Sequence, residues 1–301
     1  MPSRSRQVLT WYEYPISPRI AFMHHSRLPF CLVAALLTLA TAPGCGPEEP
    51  VDSGKTRLLL IGQGPDGHPP GTHEFLPGVR ILNHCLRQFP DLETVVVSAD
   101  EPWSEGPSLL DSADGLVLFV SQGAKWLSND ADRLAAMQRF ARKGGALVVL
   151  HWGMGTVEAG NIANFVKLFG GCHGGPDRKH DTLEVTARIP APNHPVTRGI
   201  SDFTVHDEFY YRLKFVQPTS SIFPLVQADI EEQRETVAWA WERGDGGRSF
   251  GFSGLHFHRN WRLDPYRRLA IQAVLWALRL PAPENGIDLG VPEELLNLPS
   301  S

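Results

Sequence analysis

Gly247-Arg248-Ser249-Phe250-Gly251-Phe252-Ser253-Gly254-Leu255-His256-Phe257-His258-Arg259-Asn260-Trp261 reads as a buried strand that runs out into a turn carrying two histidines and an aromatic residue. A buried strand needs apolar side chains and a turn needs glycine. Neither needs His256 and His258 with Trp261 just behind them. A second apolar run, Ala146-Leu147-Val148-Val149-Leu150, closes on another imidazole, His151. In open α/β sheets, ligands bind just beyond the carboxyl ends of the strands. Two strands that each end on histidine therefore point to chemistry along one sheet edge.

Outward from these two strands the chain alternates. Residues 57–62 form a short apolar run ending in glycine, and residues 94–97 and 115–120 are further strands. Between them, Val79, Leu82, Leu86 and Phe89 have helical spacing. Asn129 is placed to cap a helix that presents Leu134, Met137 and Phe140 and stops at Gly144-Gly145. Residues 162–169 follow as a short helix before Gly170-Gly171. Strands alternating with helices predict a mostly parallel sheet with right-handed crossovers and helices on both faces. Residues 183–189, 223–227, 236–241 and 249–252 read as strands, and Asp264 opens a last helix with Leu269, Val274, Leu275 and Leu278 facing inward. One α/β domain over residues 56–280 is expected, with a proline-rich tail from 281 to 301 wrapping the surface.

The 301 residues are 42% hydrophobic and 20% charged, ample for a globular core. A net charge of −5 argues against nucleic acid as partner, since phosphate binding favours a basic face. Residues 1–45 read as an export signal: His24, His25 and Arg27 precede an apolar run over 30–40 that is too short to span a bilayer. Thr41-Ala42-Pro43-Gly44-Cys45 then resembles a bacterial lipoprotein cleavage zone, with Cys45 as the lipidated residue, although Ala42 stands where such signals usually carry leucine. An ordinary secretory signal is the plainer alternative, and Met23 is a second candidate start. Residues 46–55 form a tether. The expected location is periplasmic or at the cell surface, with the membrane met through a lipid anchor. Of the remaining thiols, Cys85 lies in an apolar helical pattern, and one bridge to Cys172 is conceivable in an oxidising compartment.

Four clusters carry polar residues that structure alone does not call for: His68 to Glu74 with His73, His151-Trp152-Gly153, the glycine-flanked His173, and His206-Asp207-Glu208-Phe209-Tyr210-Tyr211. Each has a bland reading as a solvated loop, a strand-end hydrogen bond or a rim charge pair. Together they suit two kinds of work. Imidazoles and carboxylates hold a divalent metal such as zinc, and they also act as acid and base without one. His73, His151 and His256 are the candidate metal ligands; His151, Asp207, Glu208 and His256 are the candidate catalytic groups. His256-x-His258 on an extended segment puts both rings on one side. Trp152, His173, Tyr210, His258 and Trp261 are candidates for substrate binding. Nucleophilic catalysis is disfavoured, because no Gly-x-Ser-x-Gly occurs and the turn after residue 150 has no Ser or Cys. Gly62-Gln63-Gly64-Pro65-Asp66-Gly67 is glycine-rich, but Pro65 and the missing Lys-Ser/Thr argue against a phosphate loop.

The stretch from Gly144 to His151 resembles the glycine pair, strand and histidine of the ThuA-like (trehalose-utilisation) family. So do residues 193–200, Asp207-Glu208-Phe209-Tyr210, Val237-Ala238-Trp239, Gly246 to Phe250 leading to His256, and Trp276-Ala277. They follow the family's order over about residues 57–280. The resemblance implies a flavodoxin-like sheet similar to class I glutamine amidotransferase domains, without amidotransferase chemistry. It also implies a role in breaking down trehalose-like disaccharides and their keto-sugar forms. His151, Asp207, Glu208, Tyr210 and His256 are the positions it carries over.

The leading expectation is a sugar isomerase or hydrolase acting on a disaccharide or keto-sugar. His151 and His256, with His73 or His173, would bind metal or polarise a carbonyl. Glu208 or Asp207 would be the base, and Trp152, Tyr210 and Trp261 would stack on the sugar. The rival is a non-catalytic carbohydrate-binding surface lipoprotein; a structural module on a lipid anchor is the third reading.

Overall fold

The computed structural model of the chain describes residues 54–283 and 286–298. The export signal, Cys45 and most of the tether lie outside the described residues. In chain order the elements are β1 (Thr56–Gly62), α1 (Phe75–Leu86), β2 (Leu92–Ser98), α2 (Gly106–Asp111), β3 (Gly115–Phe119), α3 (Gly123–Ser128), α4 (Ala131–Arg142) and β4 (Ala146–Leu150). After these come β5 (Gly155–Thr156), α5 (Ile162–Phe169), β6 (Gly171–Gly174), β7 (Lys179–Ala187), β8 (Phe203–Tyr211) and β9 (Lys214–Phe215). The chain continues with β10 (Ile222–Ile230), β11 (Gln233–Glu242), β12 (Arg248–Phe252), α6 (Asp264–Ala277) and α7 (Glu293–Leu296).

Seven strands form the main sheet in the order β10-β11-β12-β4-β3-β1-β2. The five from β12 to β2 are parallel, and β11 and β10 extend the sheet antiparallel. Every residue of β3 and β4 is buried, as expected of strands covered on both faces. The two faces belong to different cores. Leu58, Leu60, Val117, Phe119, Val148, Leu150, Phe250 and Phe252 pack with α1 and α6. Leu59, Ile61, Leu116, Leu118, Leu147 and Val149 pack with α2 to α5. Slipping a strand by one residue would swap these two sets, so the register is strongly specified.

The pattern-based boundaries shift in small ways. Asp130, not Asn129, caps α4: its side chain accepts from the Arg133 N–H, and Asp130 has the extended backbone a cap needs. Gly170, at φ 82°, ends α5 in the left-handed region. His173, expected in a flexible turn, lies inside β6 and is buried. The two cysteines do not pair. Cys85 belongs to the α1 core and Cys172 to the opposite one, and burial pushes both thiols up, to about 11 and about 12.

Two features were not legible from pattern: the β7–β8 ribbon, of which only residues 183–189 read as a strand, and a helix in the tail. β7 and β8 form a separate antiparallel ribbon in which His180 faces Tyr210 and Thr182 faces Glu208. The tail, expected only to wrap the surface, contains α7. It is held to the turn after α1 by Gln88, which donates to Asp288 O and accepts from Asp288 N at 3.0 and 2.9 Å. Arg262 grips Glu293 with two hydrogen bonds of 2.9 and 2.8 Å.

Candidate functional site

Gly62 is the last residue of β1, and the loop that follows places Asp66, His68 and His73 above the carboxyl edge of the sheet. β4 ends directly at His151, and β12 runs out through Ser253 and Leu255 to His256. The two loops are stitched together: His73 N–H donates to His256 O at 3.0 Å, and His258 N–H to Gly71 O at 2.9 Å. Three of these turns hold a non-glycine residue in the left-handed region: His73 (φ 53°), His151 (φ 44°) and Leu255 (φ 77°). Such conformations cost about 1–3 kcal/mol each and persist where the surrounding structure demands them. Gly153 makes room beneath, since a Cβ there would sit 2.6 Å from Leu118 O.

β8 supplies the fourth wall. Alternation along the strand sends Val205, Asp207 and Phe209 to the buried side and leaves His206, Glu208 and Tyr210 on the other. Glu208 Oε1 lies 3.8 Å from His151 Nε2 and 3.6 Å from His256 Nδ1. His151 Nε2 is 3.1 Å from His73 Nε2, 3.2 Å from His256 Nδ1 and 3.0 Å from the Tyr210 hydroxyl. One ligand atom each from His73, His151, Glu208 and His256 all fall within 4.8 Å of one another.

The ring tautomers follow from the outer partners. His151 Nδ1 donates to Ser253 O at 2.7 Å, which leaves a lone pair on Nε2. His73 Nδ1 donates to Asp66 Oδ2 at 2.9 Å, which leaves a lone pair on its Nε2 as well. Two nitrogen lone pairs 3.1 Å apart repel unless a proton or a cation lies between them. A proton is disfavoured on His151 and on His256. Burial, then the adjacent His73 and His256, pushes the His151 imidazole well below its usual range. Burial, then His73 and His68, brings His256 to about 3. A cation fits: metal–nitrogen bonds of about 2.0–2.1 Å set neighbouring ligands roughly 3 Å apart. The carbonyl behind His151 and the carboxylate behind His73 are the outer partners that metal-bound histidines usually have.

Asp66 is the residue that sequence reasoning passed over. It lies in the glycine-rich stretch weighed only as a phosphate loop, whereas its position shortly before two histidines was the usable signal. Burial alone would raise its carboxyl, but hydrogen bonds from His73, His68 and Ser121 hold it well below the usual range. His68, half exposed, donates to Asp66 Oδ1 at 2.7 Å. His180 was also missed. Its Nδ1 lies 3.3 Å from Glu208 Oε2 at the mouth of the site, a placement only the β7–β8 register reveals.

Five expected site residues stand elsewhere or act differently. Asp207 is fully buried and accepts from Leu255 N, Tyr266 Oη and Phe257 N at 2.7, 2.9 and 3.4 Å, so it braces the His256 turn from behind. Burial pushes its carboxyl up to about 6 despite those bonds. His258 does not join His256, because the chain turns into a 3₁₀ helix (His258–Arg262) and His258 Nε2 meets Leu295 O at 3.3 Å. Trp261 is 1% exposed in the α1–α6 core and cannot stack on a sugar. Tyr210 is 3% exposed, and both of its faces are covered: by His151 at 4.6 Å and His173 at 4.0 Å between ring centroids. His173 is therefore a buried backing for Tyr210, and burial, then the charges of His180 and Arg178, lowers it to about 3. Trp152 remains half-buried beside Tyr210 and His173.

These burials predict acid lability of the metal-free protein. His151 and His173 have folded values below the unfolded 6.5, so their contribution is present above pH 6.5 and is lost as pH falls. Each such proton is worth about 1.4 kcal/mol per pH unit. Asp207, raised from 3.8 to about 6, has the opposite sign in that window and offsets one of them. Urea midpoints should fall steadily from pH 6.5 to pH 4; a flat profile would show that these imidazoles are not shielded from solvent.

A profile of the ThuA family, described as trehalose utilisation, matches residues 72–277. A ThuA-like protein from Bacteroides uniformis is similar in structure, with TM-score 0.56, 14% identity, and coverage of 77% of this chain and 95% of that one. One from Parabacteroides merdae has TM-score 0.56 and 14% identity over 79% and 94%. A glutamine amidotransferase from Thermotoga maritima is more distant, with TM-score 0.38 and 10% identity over 74% and 96%. No curated protein sequence matches the chain. With more than half of its length matched by that profile, the chain belongs to the ThuA, trehalose-utilisation family.

Proposed function

We propose that the protein is a metal-assisted carbohydrate enzyme whose substrate is a disaccharide or keto-sugar and whose base is Glu208. The observation that carries this reading is the convergence of His73 Nε2 and His151 Nε2, both lone-pair donors, with His256 Nδ1 and the Glu208 carboxylate at the carboxyl edge of the sheet. Family membership supports carbohydrate as the substrate class. His73, His151 and His256 hold the cation, and its chemistry when bound is polarisation of a substrate oxygen.

Glu208 Oε1 stands 3.6 and 3.8 Å from the His256 and His151 nitrogens, farther out than those nitrogens are from each other. That position suits a base taking a proton from carbon or oxygen beside a polarised carbonyl. His180, half exposed, links Glu208 to solvent. Glycosidic hydrolysis by the Asp207–Glu208 pair is not part of this reading, because alternation in β8 turns the two carboxylates to opposite faces. We also place the protein outside the cytoplasm on a lipid anchor, from the Gly44-Cys45 signal.

Glu208→Gln tests the base. Against a panel of disaccharides and their keto forms, kcat should fall by roughly 10²–10⁴-fold, with metal content and far-UV spectrum unchanged. Full turnover in this variant would remove Glu208 from the mechanism. Binding without turnover in the wild type would favour the non-catalytic sugar-binding reading.

A further inference from the structure

Of the three imidazoles in the cluster, His256 alone lacks an outer partner. His151 Nδ1 donates to Ser253 O and His73 Nδ1 to Asp66 Oδ2, the arrangement that metal-bound histidines usually have. His256 instead turns Nδ1 to the cluster, 3.2 Å from His151 Nε2 and 3.6 Å from Glu208 Oε1. With that nitrogen on the cation, the ring proton sits on Nε2. Nε2 has no partner among the described residues. The side chain keeps 11% of its surface exposed, so an acceptor can reach it from outside.

His256 also lines a cleft of about 650 Å³, a size common for small-molecule sites. The lining comes from three segments: residues 69–72, residues 256–259 with Arg262, and residues 296–298 of the tail. Arg262 is neutralised there by Glu293. Arg259 is not: it is exposed and forms no ion pair among the described residues. It commits one N–H to His206 Nδ1 at 3.0 Å, and its guanidinium carbon lies 3.9 Å from the centre of the Phe257 ring. A guanidinium has five donors, so most of them remain for a ligand. The family profile ends at residue 277 and begins at residue 72. His73, His151, Glu208 and His256 lie inside it, whereas residues 69–71 and the tail wall lie outside. The chemistry belongs to the family core, and the boundary of the cleft is this chain's own.

We propose that this cleft is the subsite for the second, non-reacting ring of a disaccharide, whose oxygens accept from His256 Nε2–H and from Arg259. The tail is then a wall of the substrate site, and it sets a preference for two sugar rings over one. The proposal rests on the carbohydrate and metal reading given above.

The test is equilibrium binding, so it does not depend on turnover. The Glu208→Gln protein, loaded with zinc, is titrated by calorimetry with glucose disaccharides, trehalose among them, and with their keto forms. Each is compared with the monosaccharide of its reacting ring. The disaccharide should bind roughly tenfold or more tightly, as hydrogen bonds from a charged donor provide. Arg259→Ala removes that donor, and Leu298→Trp crowds the cleft from the tail. Each should bring the two affinities together while the monosaccharide binds as before. Equal affinities without these changes, or a preference that survives both of them, overturns the subsite and leaves the cluster and its carbohydrate chemistry standing. A protein that binds zinc but no sugar of either size overturns the carbohydrate reading, and the subsite with it.

Discussion

Purified beside the wild type, the His151→Ala protein should carry less than about a tenth of the metal bound by the wild type, since even supporting groups of metal sites cost 10–100-fold in affinity. His151 is the hub of the cluster. Its Nε2 lies within 3.2 Å of His73, His256 and Tyr210, and no other nitrogen of the site has three such neighbours. His256→Ala should lose metal in parallel, although its loop is anchored independently through Asp207. Elemental analysis of the three proteins is the measurement. Equal metal in all of them would move the binding site away from the cluster, to the Asp66–His68 carboxylate and imidazole beside it. A double variant no worse than either single one is also expected, because residues that act as one site are not additive.

Asp207→Ala is the largest expected loss of stability, about 3–5 kcal/mol, as when one partner of a buried charged network is removed. The carboxylate is 0% exposed and accepts from the backbone N–H groups of Leu255 and Phe257 and from the Tyr266 hydroxyl. Alanine leaves all three donors without a partner, at about 1–3 kcal/mol each. Asp207→Asn keeps one acceptor oxygen and should cost roughly half as much. Urea unfolding of the metal-free proteins at pH 7 measures both. An Asp207→Ala protein within 1 kcal/mol of wild type would mean that the His256 turn holds without its brace. The same variant should weaken metal binding, since Leu255 (φ 77°) and His256 depend on that carboxylate for their position.

The contrast between Asp207 and its neighbour explains what was readable in the chain. Periodicity located β1, β3, β4 and β12, because strands buried on both faces are short apolar runs and need no long-range information. His151 and His256 were legible for the same reason: each follows the end of such a run. Asp207 and Glu208 look alike in sequence. Which one faces the site depends on residue 207 falling on the core side of β8, a strand that polar residues at Thr204, His206 and Glu208 disguise. His258 and Trp261 were misread because a 3₁₀ turn begins at His258 and breaks the assumed extended path. Asp66 had a local signal, its position just before His68 and His73, whereas His180 could not be found by pattern at all. Asp66 meets His73 only 7 residues on, within one loop, whereas the role of His180 depends on an entire ribbon register.

The cluster draws its side chains from the loop after the first strand, the end of the fourth, the β7–β8 ribbon and the exit of the last strand, and the loops of His73 and His256 are joined by backbone hydrogen bonds. No partly assembled chain contains it. Assembly of the domain must therefore proceed on its two apolar cores alone, and an ion can enter only after the sheet has closed. An ion that arrives so late leaves the folding rate unchanged and slows unfolding instead. The benefit of the proposed ion would be durability, read as a longer half-life in urea jumps at constant refolding speed.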